Sequence, residues 1–183
     1  MTVMGANKAK KVSIIAISAA LYSILFFLSG LITVPKFTLL YLPIILLGVF
    51  PVWFGLSGLA GCMIGAFIGG CFVEGLGFLG WIESVTAFII YGLNWVLIPQ
   101  KAMEGRTKRS LFLLLGIYAM TLFAGTGYIL WQFTILGLFP VSLAESIFLP
   151  TFGLNLIIQS IICPILIKTL SPRLKSLGIY AKH

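Results

Sequence analysis

Carboxylates inside or beside long apolar segments are the side chains of this chain best suited to bind a ligand. The chain has no Asp and four Glu. Glu74, Glu83 and Glu145 have almost no basic neighbours, whereas Glu104 lies in a basic loop as a solvated partner of Lys and Arg. An ionisable group in hydrocarbon is costly, so an isolated one marks a functional site by default. Carboxylates without basic partners favour a neutral or cationic ligand.

Amphipathic and amide side chains extend this candidate set. Gln132 must hydrogen-bond within a helix bundle or line a cavity, and Trp131 beside it could stack on a ring. Asn155 and Gln159 are four residues apart and so share one helix face, where bonding between helices is the alternative to ligand binding. Trp81 suits either a pocket or the aromatic belt at a membrane surface.

Catalytic and metal chemistry lack their usual residues. The single histidine is the terminal His183, and the three cysteines, Cys62, Cys71 and Cys163, are scattered without metal-ligand spacing. No nucleophile is paired with a base, and no glycine-rich phosphate loop is present to support ATP hydrolysis. We therefore expect no enzyme activity, no catalytic residue, no metal and no cofactor.

Composition identifies the class of protein. Of 183 residues, 60% are apolar and 9% charged, and the mean hydropathy is +1.15. So few polar residues cannot coat a soluble globule, which predicts an integral membrane protein. The net charge of +8 is then explained by loops facing anionic lipid headgroups, and not by nucleic-acid binding.

Apolar segments of spanning length predict a single all-α domain over 1–183, a bundle of six transmembrane helices. Proline, glycine and charged residues separate the segments. The first apolar stretch is too long for a cleaved signal, so its helix should remain in the mature protein. The expected helices are Val12–Val34, Phe37 or Leu39 to Phe50, Pro51–Phe72, Trp81–Ile98, Leu111–Leu136 and Leu143–Leu170, with a glycine-rich turn over Glu74–Gly80. The second span is short for a full crossing, so it either tilts or continues past Pro51 into Trp53.

Basic residues set the predicted orientation. Eleven of the twelve Lys and Arg residues fall in three clusters, over 8–11, 101–109 and 168–182, and the exception is Lys36. Short basic loops stay in the cytoplasm. Six crossings then place both termini in the cytoplasm and put Lys36, Glu74 and Glu145 at the outer boundary of a cell membrane.

Two stripes of small residues predict close helix packing. Gly61, Gly65 and Gly69 recur every four residues, which lets another backbone approach closely. Ala16 and Ala20 form a second stripe near the cytoplasmic end of the first helix. Internal packing is the simpler explanation of the alanines, and an interface with another protein is the alternative.

The chain resembles the substrate-binding S components of energy-coupling factor (ECF) transporters. The likeness lies in a basic amino terminus leading into AISAALY over 16–22, then LPIILLGVF over 42–50 and FGLSGLAG over 54–61, within six spans. The resemblance implies capture of a vitamin or related micronutrient outside a prokaryotic plasma membrane. It also implies docking on a transmembrane coupling (T) protein that is carried by two cytoplasmic ATPases.

The resemblance also assigns positions. It maps Ala16 and Ala20 onto the family's contact with the coupling protein. It places the pocket in the outer half of the later helices, with these candidates: Glu74, Trp81, Glu83, Trp131, Gln132, Asn155 and Gln159. Gly69-Gly70-Cys71 stands where many members carry an Asp, and the histidine cluster of the nickel and cobalt branch is missing. The substrate is therefore left open.

Residue chemistry favours a heterocyclic ligand, such as a thiamine-, pyridoxine- or queuosine-precursor-like molecule, over folate. Two other functions fit the same composition. One is a small self-sufficient transporter or channel, and the other is a membrane scaffold that binds no small molecule.

Overall fold

The computed structural model describes residues 3–31, 39–74, 77–98 and 107–179. These ranges contain five helices: α1 (Val3–Gly30), α2 (Ile44–Glu74), α3 (Gly77–Leu97), α4 (Lys108–Ile135) and α5 (Val141–Ser176). Each is long and apolar enough to cross a membrane. The protein is therefore all-helical and has the features of a multi-pass membrane protein, as predicted.

Helix α2 covers both the second and the third predicted spans, so the six predicted helices appear as five. A helix boundary at Pro51 is wrong, because Pro51 lies inside the helix, and the alternative in which the second span continues past Pro51 into Trp53 is confirmed. The departure from helical geometry comes at Gly55, with φ 50° and ψ −135°. Only glycine adopts such a conformation readily. We call residues 44–54 the first arm of α2 and residues 56–74 its second arm.

The first arm runs in the same direction as α5. Hydrogen bonds pair successive positions along the two segments, starting from the connection that precedes the arm. They join Tyr41 to Asn155, Ile44 to Gln159 and Trp53 to Ser171. Helix α3 also runs in the same direction as the first arm, since Tyr41 contacts Glu83 and, farther along both segments, Leu47 contacts Asn94.

The second arm runs in the same direction as α1 and opposite to α3. Its glycine stripe packs on α1, where an added Cβ at Gly61 would lie 2.6 Å from the Ile15 carbonyl oxygen. Gly65 and Gly69 meet Ala19 and Phe26 in the same order. Along α3 the order is reversed, since Gly70 meets Gly80 and the Met63 carbonyl accepts from Ser84. The chain therefore turns back at Gly55.

Three other helix limits differ from the prediction. Helix α1 begins at Val3 and not at Val12, because lysine is a good helix former and the basic segment continues the helix. Helix α3 begins at Gly77, since Gly77–Gly80 is helical and not a turn. Helix α5 runs past Pro172 to Ser176. The predicted end of the first helix at Val34 lies outside the described residues.

Described basic residues gather at one end of the bundle. Lys10 Nζ donates to the Gly178 carbonyl, so the start of α1 meets the end of α5. Helix α4 runs opposite to α5, since Gly127 approaches Phe148 and Phe123 contacts Phe152, and its basic start lies at the same end. We call it the basic end. Its members are Lys8, Lys10, Lys11, Lys108, Arg109, Lys168, Arg173 and Lys175.

Pro51 is accommodated by Asn94. A proline has no N–H, so the carbonyl four residues earlier, that of Leu47, loses its helical partner. The Asn94 side chain donates to this carbonyl at 3.0 Å and is fully buried. Thr121 in turn donates to Asn94. A side chain on α3 thus replaces the hydrogen bond that the proline removes.

Asn94→Leu should destabilise the protein by about 1 to 2 kcal/mol, because a buried carbonyl loses its donor. Pro51→Ala restores an N–H for the Leu47 carbonyl, so Asn94→Leu should lower the free energy of unfolding by less in the Pro51→Ala protein. Unfolding free energies of the four proteins in mixed micelles give the coupling. Equal costs in both backgrounds would contradict the compensation.

Candidate functional site

A cavity of about 50 Å³ lies in the half of the bundle away from the basic end. It has room for roughly three to five water molecules at about 10–15 Å³ each, far less than the space a drug-sized ligand occupies. All five helices and the connection before α2 contribute to its lining. The lining residues are Phe26, Tyr41, Ile44, Glu83, Thr86, Ile90, Leu122, Gly125, Thr126, Ile129, Thr151 and Asn155.

A chain of hydroxyl groups leads to Glu83. The Tyr41 hydroxyl donates to Glu83 Oε2 at 3.1 Å and lies 2.6 Å from the Tyr22 hydroxyl. The Tyr41 hydroxyl uses its one hydrogen in the bond to Glu83, so the Tyr22 hydroxyl donates to Tyr41. Only 3% of Glu83 is exposed.

Asn155 holds the opposite wall of the cavity. Its Oδ1 accepts from the Tyr41 backbone N–H at 2.8 Å. Its Nδ2 donates to the Leu39 carbonyl at 3.1 Å and to the Thr151 carbonyl at 2.8 Å. The amide thus binds the connection between α1 and α2 with both of its polar atoms.

Three threonines supply the remaining polar surface. Thr86 donates to the Ile82 carbonyl of its own helix at 2.9 Å. Thr126 is buried on α4 and also lines the cavity. Thr151 Oγ1 is buried and has no hydrogen-bond partner among the described residues. A buried hydroxyl without a partner is unfavourable, so Thr151 offers an unused hydrogen-bonding group to a ligand.

Glu83 is the one charged residue among the described residues that line the cavity. No Lys or Arg shares that lining, and the described ranges contain no group of three or more His, Cys, Asp or Glu suited to a metal. The described lining therefore contains one carboxylate and no cationic side chain.

Two of the residues predicted from the sequence line the cavity together, Glu83 from α3 and Asn155 from α5. Gln159 lies one turn deeper on α5. Its Nε2 donates to the Ile44 carbonyl at 3.3 Å, while its Oε1 is buried without a partner in the described part of the chain. Gln159 thus supports the segment beneath the cavity.

The other candidates lie elsewhere. Trp81 is 65% exposed and contacts Phe67, and Trp131 is 61% exposed. Neither lines the cavity, and such positions suit the aromatic belt of a membrane protein. Gln132 is half-buried outside the lining, and the side chain of Glu74 lies outside the described residues. Their part in substrate binding stays a prediction.

Sequence reasoning missed several lining residues, above all Tyr41 and Thr151. Thr151, Asn155 and Gln159 follow one another at intervals of four, so a polar stripe along one face of α5 was a usable signal. Tyr41 lies in a connection between helices. Nothing local marks its side chain as part of the cavity.

Ala16 and Ala20 lie on the exposed side of α1, whereas Ser18 and Ala19 are buried against the second arm. The surface beside them is apolar, with Ile17 58% exposed. The glycine stripe therefore accounts for internal packing on α1. The alanine stripe is left facing outward.

No protein family, curated protein or solved structure matches this chain.

Proposed function

We propose that this protein is the substrate-binding S component of an ECF-type transporter, a membrane subunit that captures a micronutrient outside the cell. The observation that carries the proposal is the cavity lined by the buried side chains of Glu83 and Asn155, away from the basic end. A carboxylate buried inside an apolar bundle is costly and marks a functional site by default. The resemblance of the sequence to S components gives the same assignment.

Six membrane crossings belong to the proposal, with each arm of α2 crossing once. The second arm, 56–74, has nineteen residues and extends about 28 Å at 1.5 Å per residue. The first arm, 44–54, has eleven and extends only about 16 Å. Residues 39–43 complete that crossing. The basic end faces the cytoplasm, and the cavity opens toward the exterior.

Cysteine labelling tests this orientation. In a background with Cys62, Cys71 and Cys163 replaced by serine, a membrane-impermeant maleimide should label Ser146→Cys in intact cells. Ser176→Cys, at the basic end of the same helix, should react only after permeabilisation. Both serines are exposed, so accessibility to water decides the result. Labelling of Ser176→Cys in intact cells would show that the basic end faces the exterior, opposite to the proposed orientation.

Partner proteins complete the proposed cycle. The exposed Ala16 and Ala20 permit close approach of a helix from a transmembrane coupling protein. Two cytoplasmic ATPases on that protein supply the energy, because the sequence itself contains no phosphate loop. The ligand is a neutral or cationic heterocycle of the vitamin class.

Ligand binding and uptake assays test the function. A member of a micronutrient panel should raise the melting temperature of the purified protein, since a ligand that binds only the folded state stabilises it. Proteoliposomes holding this protein alone should neither accumulate nor leak that ligand, whereas addition of coupling protein and ATPases should give uptake. Transport by the protein alone would indicate a self-sufficient carrier or channel. Absence of any ligand would indicate a scaffold.

A further inference from the structure

The connection before α2 occupies the polar groups of the cavity in the manner of a bound ligand. Within three residues it presents the Leu39 carbonyl and the Tyr41 N–H to Asn155. The Tyr41 hydroxyl donates to Glu83. Both polar side chains of the opposing walls are thus paired with one short stretch of the chain itself.

Cavity size requires this stretch to move when a ligand binds. A space of about 50 Å³ excludes a heterocycle. The residue that contacts both Glu83 and Asn155 is Tyr41, which also meets Phe26 edge to face at a centroid distance of 5.4 Å. An incoming ligand must replace the hydrogen bonds of Tyr41, since unpaired buried polar groups are costly.

The hydrogen bonds to be replaced define a chemical pattern. A primary amide has an acceptor and a donor side by side, and pairs best with an N–H next to a C=O. Glu83 accepts, so it requires an N–H, an O–H or a cationic nitrogen. Thr151 adds a hydroxyl that no described residue uses.

Resting on the proposed function, we infer that the ligand carries an amide-like edge, as in a lactam or cyclic urea, which pairs with Asn155. A second donor or cationic nitrogen on the same ring system binds Glu83. The class is therefore a small lactam heterocycle. The ligand takes over the contacts that Leu39 and Tyr41 make with Asn155 and Glu83.

Matched compounds test the edge. Calorimetry on the full chain in lipid nanodiscs would measure the dissociation constant of guanine and that of 6-O-methylguanine, which lacks the N–H next to a C=O. Pterin and cytosine would each be compared in the same way with an O-methyl or deoxygenated analogue. Thiamine and pyridoxine serve as heterocycles without the edge. We expect a lactam to be the tightest binder, with its matched partner weaker by about tenfold or more for the lost hydrogen bond.

Two other outcomes separate this inference from the proposed function. If thiamine, pyridoxine or another compound without the edge binds most tightly, the lactam assignment is wrong and substrate capture stands. If no panel member binds and mass spectrometry finds no small molecule in the purified protein, both the lactam assignment and the capture function are wrong.

Thr151→Val separates ligand binding from folding. The substitution removes a hydroxyl that bonds none of the described residues, so the melting temperature without added ligand should stay the same or rise. Affinity for the lactam should fall about tenfold for one lost hydrogen bond. Unchanged affinity would overturn the role of Thr151.

Control and second variants complete the test. Thr134→Val removes a hydroxyl that bonds its own helix outside the lining, so it should leave affinity unchanged. Asn155→Leu keeps a similar size but removes both the acceptor and the donor of the amide, so it should abolish the preference for lactam over O-methyl compound. Retention of that preference by folded Asn155→Leu would overturn the pairing with Asn155.

Discussion

Replacing Ala16 and Ala20 together with tryptophan should reduce ATP-driven uptake to background while leaving ligand affinity unchanged. Both alanines are exposed on α1, on the side not packed against the second arm. Two indole rings there would hold an approaching helix away, because close backbone contact needs small side chains. The cavity lies farther from the basic end, so binding should persist. Uptake into proteoliposomes and calorimetry measure the two effects separately.

Gly116→Trp is the matched control for the alanine variants. Gly116 is exposed on α4 at a similar distance from the basic end, and no atom of another described residue, apart from its chain neighbours and the adjacent helix backbone, lies within 4 Å of an added Cβ. A tryptophan there should leave uptake near the wild-type rate, since it disturbs lipid contacts alone. Full uptake by the double alanine variant would contradict docking through α1. An equal loss with Gly116→Trp would assign the effect to bulk in the bilayer.

Glu83→Gln should lower the affinity for a cationic or donor-rich ligand by about 100-fold, which corresponds to about 2.7 kcal/mol. Removing one partner of a buried charge-assisted contact costs about 2–5 kcal/mol. Glu83 is buried at 3% exposure and is the one charged lining residue in the described part of the cavity. Glutamine keeps its size and its ability to accept from Tyr41. Calorimetry with the ligand found in the panel gives the ratio of dissociation constants.

Glu145→Gln removes a carboxylate from the same half of the bundle without touching the cavity. Glu145 is exposed near the start of α5, so its charge is screened by water. Ligand affinity should change by less than about twofold. An equal loss of ligand affinity in both variants would indicate general electrostatic attraction. Unchanged affinity in Glu83→Gln would show that the Glu83 carboxylate does not bind the ligand.

Local patterns predicted most of the helical segments. Helix α4 was expected over 111–136 and occurs over Lys108–Ile135, because a long apolar run between a basic loop and Gly137 has no competing structure. The second arm carries the glycine stripe as predicted, and α1 packs along it. Spacing suffices in these cases, since residues four apart share a helix face whatever surrounds them.

Predictions failed where distant residues compensate for a local signal. Pro51 was expected to separate two helices, but Asn94, 43 residues later, supplies the hydrogen bond that the proline lacks. The turn was instead made at Gly55, whose carbonyl accepts from the Tyr91 hydroxyl. Gly77–Gly80 was expected to be a turn, but Gly80 is helical and packs on Gly70. These partners are close only after folding.

The sequence by itself determined the membrane class and the asymmetry of charge, because both follow from composition and from the order of basic and apolar segments along the chain. It also marked Glu83 and Asn155, since polar side chains within apolar spans stand out locally. Tertiary structure alone decided that Glu83 and Asn155 meet across one cavity, that Tyr41 lines the same cavity, and that Trp81 and Trp131 are exposed. Which face of a helix turns inward depends on contacts among elements far apart in the chain, and no local pattern encodes them.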